Sequence, residues 1–166
     1  YPLLVLKLFI EDINVESIPY PWSGLNDLTY GFRQGELVTI TSGLGMGKSQ
    51  MTRELEHYLL RTTKDNIGIL ALEETIKNTT LGIMSIEANL PLHLKKEETD
   101  EVELRSYWDK TLGTGRIKLF DHFGSTSEDN LLSKVRYLAK GLDCKWIILD
   151  HLSIVVSDQE GYLDER

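Results

Sequence analysis

A glycine-rich segment that ends in a Lys-Ser pair is the feature that most constrains how this chain can fold. The segment, Thr41–Ser49, follows a β-type run at residues 36–40 and precedes a helical run at residues 50–60. Its three glycines allow the backbone to turn tightly and to approach an anion without a Cβ in the way. This order predicts a strand, a tight loop and a helix N-terminus, which is the arrangement of a phosphate-binding loop.

The residues at the end of this segment carry its chemistry. Lys48 is placed to reach the β- and γ-phosphates of a nucleotide, and the Ser49 hydroxyl suits a Mg²⁺ ligand. The strict pattern has a glycine five residues before Gly47, where this sequence has Ser42. A glycine-rich surface turn would explain the glycines but not a lysine-hydroxyl pair at a helix start. We therefore predict a nucleotide site formed by Ser42, Gly43, Leu44, Gly45, Met46, Gly47, Lys48, Ser49 and Gln50.

The rest of the chain alternates short apolar runs with helical patterns. Strands are predicted at residues 67–72, 116–120 and 145–150, and the first and last of these runs are apolar enough to be covered on both faces. Helices are predicted at residues 76–89 (with Thr75 as N-cap and Pro91 beyond the end) and 97–112, and a turn is predicted at residues 26–29. A third helix is predicted after a capping cluster at residues 125–129, with apolar residues at helical spacing from Leu131 to Leu142. Strands that alternate with helices imply right-handed crossovers, and so predict an α/β fold with a mainly parallel sheet flanked by helices.

Length and charge narrow the possible classes of protein. The chain has 166 residues, enough for one domain with a hydrophobic core. Pro19 and Pro21 favour extended backbone, so residues 1–23 are predicted to be a linker that leads into a domain at residues 24–166. The net charge of −8 means that any contact with nucleic acid must be local. A lone cysteine fits a reducing compartment, and no apolar run reaches the ~18 residues of a membrane span.

Two carboxylates lie where predicted strands end. In an open parallel sheet, ligands bind outside the carboxyl ends of the strands. Asp150 ends one apolar run and is predicted to act on Mg²⁺, while Glu73 ends another and is predicted to orient or deprotonate the attacking water. Glu74 follows Glu73, and strand alternation should send its side chain the other way. For each acid, a solvated carboxylate with no role in catalysis is the alternative.

Together these residues resemble a known family. The chain looks like the helicase domain of bifunctional phage primase-helicases, which are relatives of DnaB and of the mitochondrial helicase Twinkle and have a RecA-like P-loop NTPase core. The stretches that carry the resemblance are Gly24–Asp27 with Gly35–Leu37, Thr41–Ser49, Leu72–Thr75 and Ile147–Ser157. The likeness begins at about Gly24 and would make residues 24–166 the N-terminal part of a RecA-like ATPase domain.

The resemblance implies a function and a set of partners. Family members form rings, usually hexameric, that encircle one DNA strand and couple hydrolysis of ATP or another NTP or dNTP, with Mg²⁺, to translocation and unwinding. The implied partners are single-stranded DNA, further copies of the same chain, and a primase domain or a polymerase, without a membrane. The implied location is cytoplasmic, in the host for a phage protein, or mitochondrial for a Twinkle homologue. The family's DNA loop would fall at residues 157–166, with Ser157, Gly161 and Arg166 as DNA contacts.

Family members also continue with a γ-phosphate sensor, further DNA loops and an arginine finger. We therefore expect the 166-residue chain by itself not to unwind DNA. Three other classes share part of the pattern. A RecA-type recombinase or clock-type ATPase would hydrolyse nucleotide under DNA stimulation without unwinding. A P-loop kinase should show an arginine-bearing lid, and a scaffold with a vestigial loop would not retain Lys48, Ser49, Glu73 and Asp150 together.

Overall fold

The computed structural model describes residues 16–43, 45–95, 99–120 and 128–150. The chain divides into two compact units, Tyr1–Gly43 and Leu44–Arg166.

One antiparallel bridge and one short helix organise the described part of the first unit. Ile18 and Phe32 exchange two backbone hydrogen bonds of 2.9 Å, and helix α1 (Ser23–Thr29) lies between them in sequence. Tyr20 and Phe32 are buried, with ring centroids 4.6 Å apart. The Asn26 side chain accepts from the backbone N–H of Tyr20 (2.6 Å) and donates to its carbonyl (2.7 Å). The turn predicted at residues 26–29 is therefore the second half of a helix that Asn26 anchors.

The strand predicted at residues 36–40 is not formed. This segment joins no ladder in the described part of the chain, and the Leu37 side chain is 94% exposed. Side chains of β type stabilise a strand only when a neighbouring backbone and a packed face are present. The sheet is made of other segments, so propensity alone led to a wrong prediction here.

The second unit contains a parallel sheet and four α-helices in its described residues. Its elements in chain order are α2 (Lys48–Thr62), β1 (Asn66–Ala71), α3 (Ile76–Ala88), α4 (Glu101–Lys110), a 3₁₀ turn (Leu112–Thr114), β2 (Ile117–Phe120), α5 (Glu128–Arg136), a π-helical turn (Tyr137–Gly141) and β3 (Cys144–Asp150). This architecture confirms the predicted α/β class with a parallel sheet flanked by helices.

The sheet has the order β2-β1-β3, and β1 pairs in parallel with both neighbours. The central strand is the most buried, as its run of apolar residues predicted: Ile67, Ile69 and Leu70 are at most 1% exposed. Ala71 lies opposite Asp150, and the Leu72 N–H extends the ladder by donating to the Asp150 carbonyl at 2.7 Å. The carboxyl ends of β1 and β3 therefore meet at one edge of the sheet.

Close packing on the central strand depends on a glycine. A Cβ at Gly68 would lie 2.9 Å and 3.1 Å from the two methyl carbons of Leu138. Leu138, in the π-helical turn, is fully buried and forms a core with Leu70 and Cys144. The lone cysteine is thus buried, and burial raises the pKa of its thiol.

Several helix ends follow the predicted signals. The Thr75 hydroxyl accepts from the Asn78 N–H at 3.3 Å and so caps α3, as predicted. Asn89 takes the left-handed conformation just after α3, two residues before Pro91. The helix predicted from residue 97 starts instead at Glu101, because the Asp100 carboxylate accepts from the Glu103 N–H at 2.7 Å and caps the helix there. Of the capping cluster predicted at residues 125–129, residues 125–127 lie outside the described residues.

Candidate functional site

The described part of the glycine-rich segment has the backbone geometry that an anion site needs. Gly45 and Gly47 have φ values of +72° and +87°, and open space surrounds the position of a Cβ at each. Residues with a side chain rarely adopt positive φ values of this size, so the backbone conformation requires glycine at both positions. Gly47 leads directly into α2, whose first turn contains Lys48 and Ser49 and no acidic residue. The start of such a helix carries the positive end of the helix dipole, which favours a negative ligand.

The remaining predicted loop residues are distributed as follows. Ser42 and Gly43 belong to the first unit and are exposed, with the Ser42 hydroxyl 3.2 Å from the Gly43 carbonyl. Met46 is 74% exposed, Gln50 is exposed, and Lys48 and Ser49 are half-buried in the second unit. Leu44 lies outside the described residues, as do the predicted DNA contacts Ser157, Gly161 and Arg166.

The two predicted acids lie at the carboxyl edge of the sheet. Asp150 is the last residue of β3 and pairs with Ala71 of β1. Glu73 follows Ala71 by two residues and is exposed. The parallel topology brings these acids to one edge although 77 residues separate them, from position 73 to position 150. This confirms the neighbourhood that the strand pattern predicted, while their chemical roles remain predictions.

Sequence reasoning missed an ion pair beside this edge. The guanidinium of Arg53, on α2, donates through Nη2 to both carboxylate oxygens of Glu74, at 2.5 Å and 2.6 Å. The buried Thr79 hydroxyl lies 3.5 Å from the same carboxylate. Glu74 is half-buried where Glu73 is exposed. The feature of the sequence that could have indicated this pair is Gly82, a glycine in the middle of α3.

A second residue that the sequence did not single out is Glu56. It is 2% exposed, and its Oε2 makes no hydrogen bond to any described residue. The pKa of this carboxyl is raised to about 8, mainly by burial; the Arg53 charge opposes the rise, and the charges of Asp150 and Glu74 contribute to it. Glu56 is therefore a protonated acid at neutral pH. Its spacing of three and four residues from Leu59 and Leu60 places it on the same face of α2 as these apolar residues, and this spacing was the signal in the sequence.

Metal and membrane features are limited in the described part of the chain. There, no group of three or more His, Cys, Asp or Glu side chains is arranged to hold a metal ion. Mg²⁺ in nucleotide sites is bound by one or two protein ligands together with phosphate oxygens and water, so Ser49 and Asp150 suffice in kind and number. None of the described helices is both long enough and apolar enough to cross a bilayer.

Comparison with known proteins places these features in a family. Residues 17–165 match the model of the DnaB-like helicase C-terminal domain. This chain belongs to that family. The match covers nearly the whole chain and confirms the resemblance predicted from its four motifs.

Individual relatives agree with this assignment. The chain is 37% identical over 147 residues to a DNA helicase/primase of Enterobacteria phage T3, which covers 86% of this chain and 26% of that protein. It is 19% identical over 149 residues to the replicative DNA helicase DnaB of Geobacillus stearothermophilus, and this match covers 87% of this chain and 32% of that protein. It is 24% identical over 155 residues to the DnaB of Leifsonia xyli, and this match covers 89% of this chain and 33% of that protein. This DnaB-like chain thus spans between about a quarter and a third of the length of these relatives.

Proposed function

We propose that this DnaB-like chain is the nucleotide-binding part of a replicative DNA helicase. In this proposal the complete protein hydrolyses ATP or another NTP or dNTP with Mg²⁺, and uses the energy to move along single-stranded DNA and separate the duplex. One observation carries the proposal: a left-handed glycine pair leads into a helix that starts with Lys48 and Ser49, on a sheet whose carboxyl edge presents Glu73 and Asp150. Family membership supports the same reading.

Each residue has a distinct task in the proposed reaction. The N–H groups of the loop and the Lys48 ammonium hold the phosphate chain, and the Ser49 hydroxyl and Asp150 carboxylate hold Mg²⁺. Bound Mg²⁺ supplies neutralisation of the charge that develops on the leaving phosphate oxygens. Glu73 orients the attacking water and accepts its proton as the water oxygen bonds to the γ-phosphorus and the bond to the bridging oxygen breaks. Since Glu73 is exposed, it is accessible to that water.

The proposed assembly follows from the same family. We place single-stranded DNA in a ring of identical chains, usually six, with Ser157, Gly161 and Arg166 as candidate DNA contacts and with nucleotide between neighbouring subunits. The phage T3 relative is named as a helicase/primase, so a linked primase activity in the complete protein is part of the proposal. Residues 24–166 are the proposed N-terminal part of the motor domain, and residues 1–23 the linker before it.

The test is nucleotide hydrolysis and strand separation by the full-length protein, with and without single-stranded DNA. We expect strong DNA stimulation that Lys48→Ala and Glu73→Gln both remove, with Glu73→Gln still binding a nucleotide analogue. Lys77→Ala is the matched control, because it removes an exposed lysine from α3 outside the proposed site. DNA-stimulated hydrolysis without unwinding would instead identify a RecA-type ATPase. Phosphate transfer to a metabolite would identify a kinase, and either result would refute the proposal.

A further inference from the structure

The Arg53–Glu74 pair joins two parts of the proposed site. Arg53 lies on α2, five residues after Lys48, the residue that starts this helix. Glu74 directly follows Glu73 in the segment between β1 and α3. A rigid helix therefore connects the pair to the phosphate-binding end, and a single peptide bond connects it to the proposed general base.

The geometry of the pair restrains the segment strongly. Nη2 of Arg53 contacts both oxygens of Glu74, at 2.5 Å and 2.6 Å, and the two side chains are only 21% and 30% exposed. Thr79, buried in the first turn of α3, approaches the same carboxylate at 3.5 Å. Glu74 is thus held from α2 and from α3 at once. A half-buried, charge-assisted pair of this kind is stronger and more directional than a solvated surface pair.

A glycine makes room for this contact. A Cβ at Gly82 would lie 2.7 Å from Cδ and 2.9 Å from Cζ of Arg53, closer than side-chain atoms can approach. Glycine in a helix interior is destabilising by ~1 kcal/mol relative to alanine, so its presence in the middle of α3 needs a compensating reason. Passage of the Arg53 guanidinium across α3 to Glu74 supplies that reason.

We propose that Arg53 and Glu74 are positioning residues. Their ion pair, which passes over the space left by Gly82 and is called the strut below, sets the place of Glu73 relative to the N-terminus of α2. This inference rests on the proposed function, because it assigns a task to residues that act through the general base. Neither residue takes a proton or contacts the phosphates in the proposed reaction. Their contribution is to hold the base where the water attacks, and misplacement by about 1 Å in such a site can cost ~10²-fold in rate.

The experiment measures kcat and KM for nucleotide hydrolysis by the full-length protein carrying Arg53→Lys, Arg53→Ala, Glu74→Gln or Gly82→Ala. We expect kcat to fall by about 10- to 100-fold while KM changes by less than about 3-fold, because the phosphate contacts of the loop stay intact. Gly82→Ala is informative because it keeps every charge, favours the helix itself, and places a methyl group in the path of Arg53. The Arg53→Ala/Glu74→Gln double variant should be no slower than either single variant, since each removes the same strut.

The matched control is Glu87→Gln. Glu87 also joins α2 to α3, through His57 Nε2 at 2.7 Å, and its side chain is 12% exposed. His57 is four residues beyond Arg53 on α2, and Glu87 is five beyond Gly82 on α3, so this pair lies more than a helical turn farther along both helices. Glu87→Gln should reduce stability without changing kcat.

Two measurements on the nucleotide-free protein accompany the kinetics. Urea unfolding of the Arg53, Glu74 and double variants should show a non-additive cycle, and binding of a non-hydrolysable nucleotide analogue should be retained in each. If the Arg53 and Gly82 variants lower kcat no more than Glu87→Gln does, or if the loss appears in KM, the strut is refuted while the proposed function stands. If Glu73→Gln leaves hydrolysis intact, the general base itself is refuted and the strut with it.

Discussion

The buried carboxyl of Glu56 should make the stability of this protein depend on pH in an unusual direction. Its pKa is about 8 in the folded protein, against an ordinary value of 4.5, and burial is the main cause. Between these two values the folded chain keeps a proton that the unfolded chain has already released. Stability from this group is therefore fully present below pH 4.5 and is lost as pH rises to about 8.

The magnitude follows from the shift. Each pKa unit is worth about 1.4 kcal/mol, so wild-type stability should fall by that amount per pH unit relative to a variant that cannot titrate. Over the whole window, from 4.5 to about 8, the difference approaches ~5 kcal/mol as an upper value. This is a large share of the ~5–15 kcal/mol that stabilises a typical domain.

The assay is urea unfolding of the nucleotide-free protein at half-unit steps from pH 5 to 8.5, with wild type compared with Glu56→Gln. The relevant quantity is the pH slope of the difference in unfolding free energy, because a buried amide shifts the absolute stability at every pH alike. We expect Glu56→Gln to gain on wild type as pH rises. Glu54→Gln, which removes a neighbouring carboxylate from the same helix, controls for a change in net charge. Parallel wild-type and Glu56→Gln profiles would show that Glu56 is charged in the folded state and that the reasoning is wrong.

Two further predictions concern packing and helix ends. Arg116 donates to the Leu60 carbonyl at 2.6 Å and to the Thr63 carbonyl at 2.8 Å at the C-terminal end of α2, so Arg116→Met should lower the unfolding free energy by ~1–3 kcal/mol in urea. Arg116→Lys should recover only part of this free energy, because one ammonium cannot donate to both carbonyls as the planar guanidinium does. Full recovery by lysine would contradict the proposed contribution of these two hydrogen bonds. Gly68→Ala should destabilise by ~1–3 kcal/mol, because the new methyl group meets Leu138. In the same urea assay, Gly68→Ala should cost less in a Leu138→Val background than in the wild type. If the two substitutions are additive, the clash with Leu138 is excluded.

Much of the fold could be predicted because its signals are local. Apolar runs located the three strands to within a residue or so at their ends, and the Thr75 cap was read from one hydroxyl at the right spacing. The edge that Glu73 and Asp150 share followed from parallel topology, which the alternation of strands and helices implies. The failures were also physical. Residues 36–40 have strand propensity but no ladder, and the start of α4 was misplaced because Asp100 was not recognised as its cap.

The sequence by itself determined which chemical groups are present and in what order: a Lys-Ser pair after a glycine-rich run, an acid at the end of each of two apolar runs, and an alternation of strand and helix patterns. These depend on conformational limits of single residues and on periodicity, which a linear pattern records. Only the tertiary structure decided that Arg53 reaches Glu74 across Gly82 and that Glu56 is buried near Asp150. Contacts between distant segments depend on how helices pack on the sheet. Burial then sets how each charged group behaves, because the removal of water changes both the pKa of a carboxyl and the free energy of an ion pair.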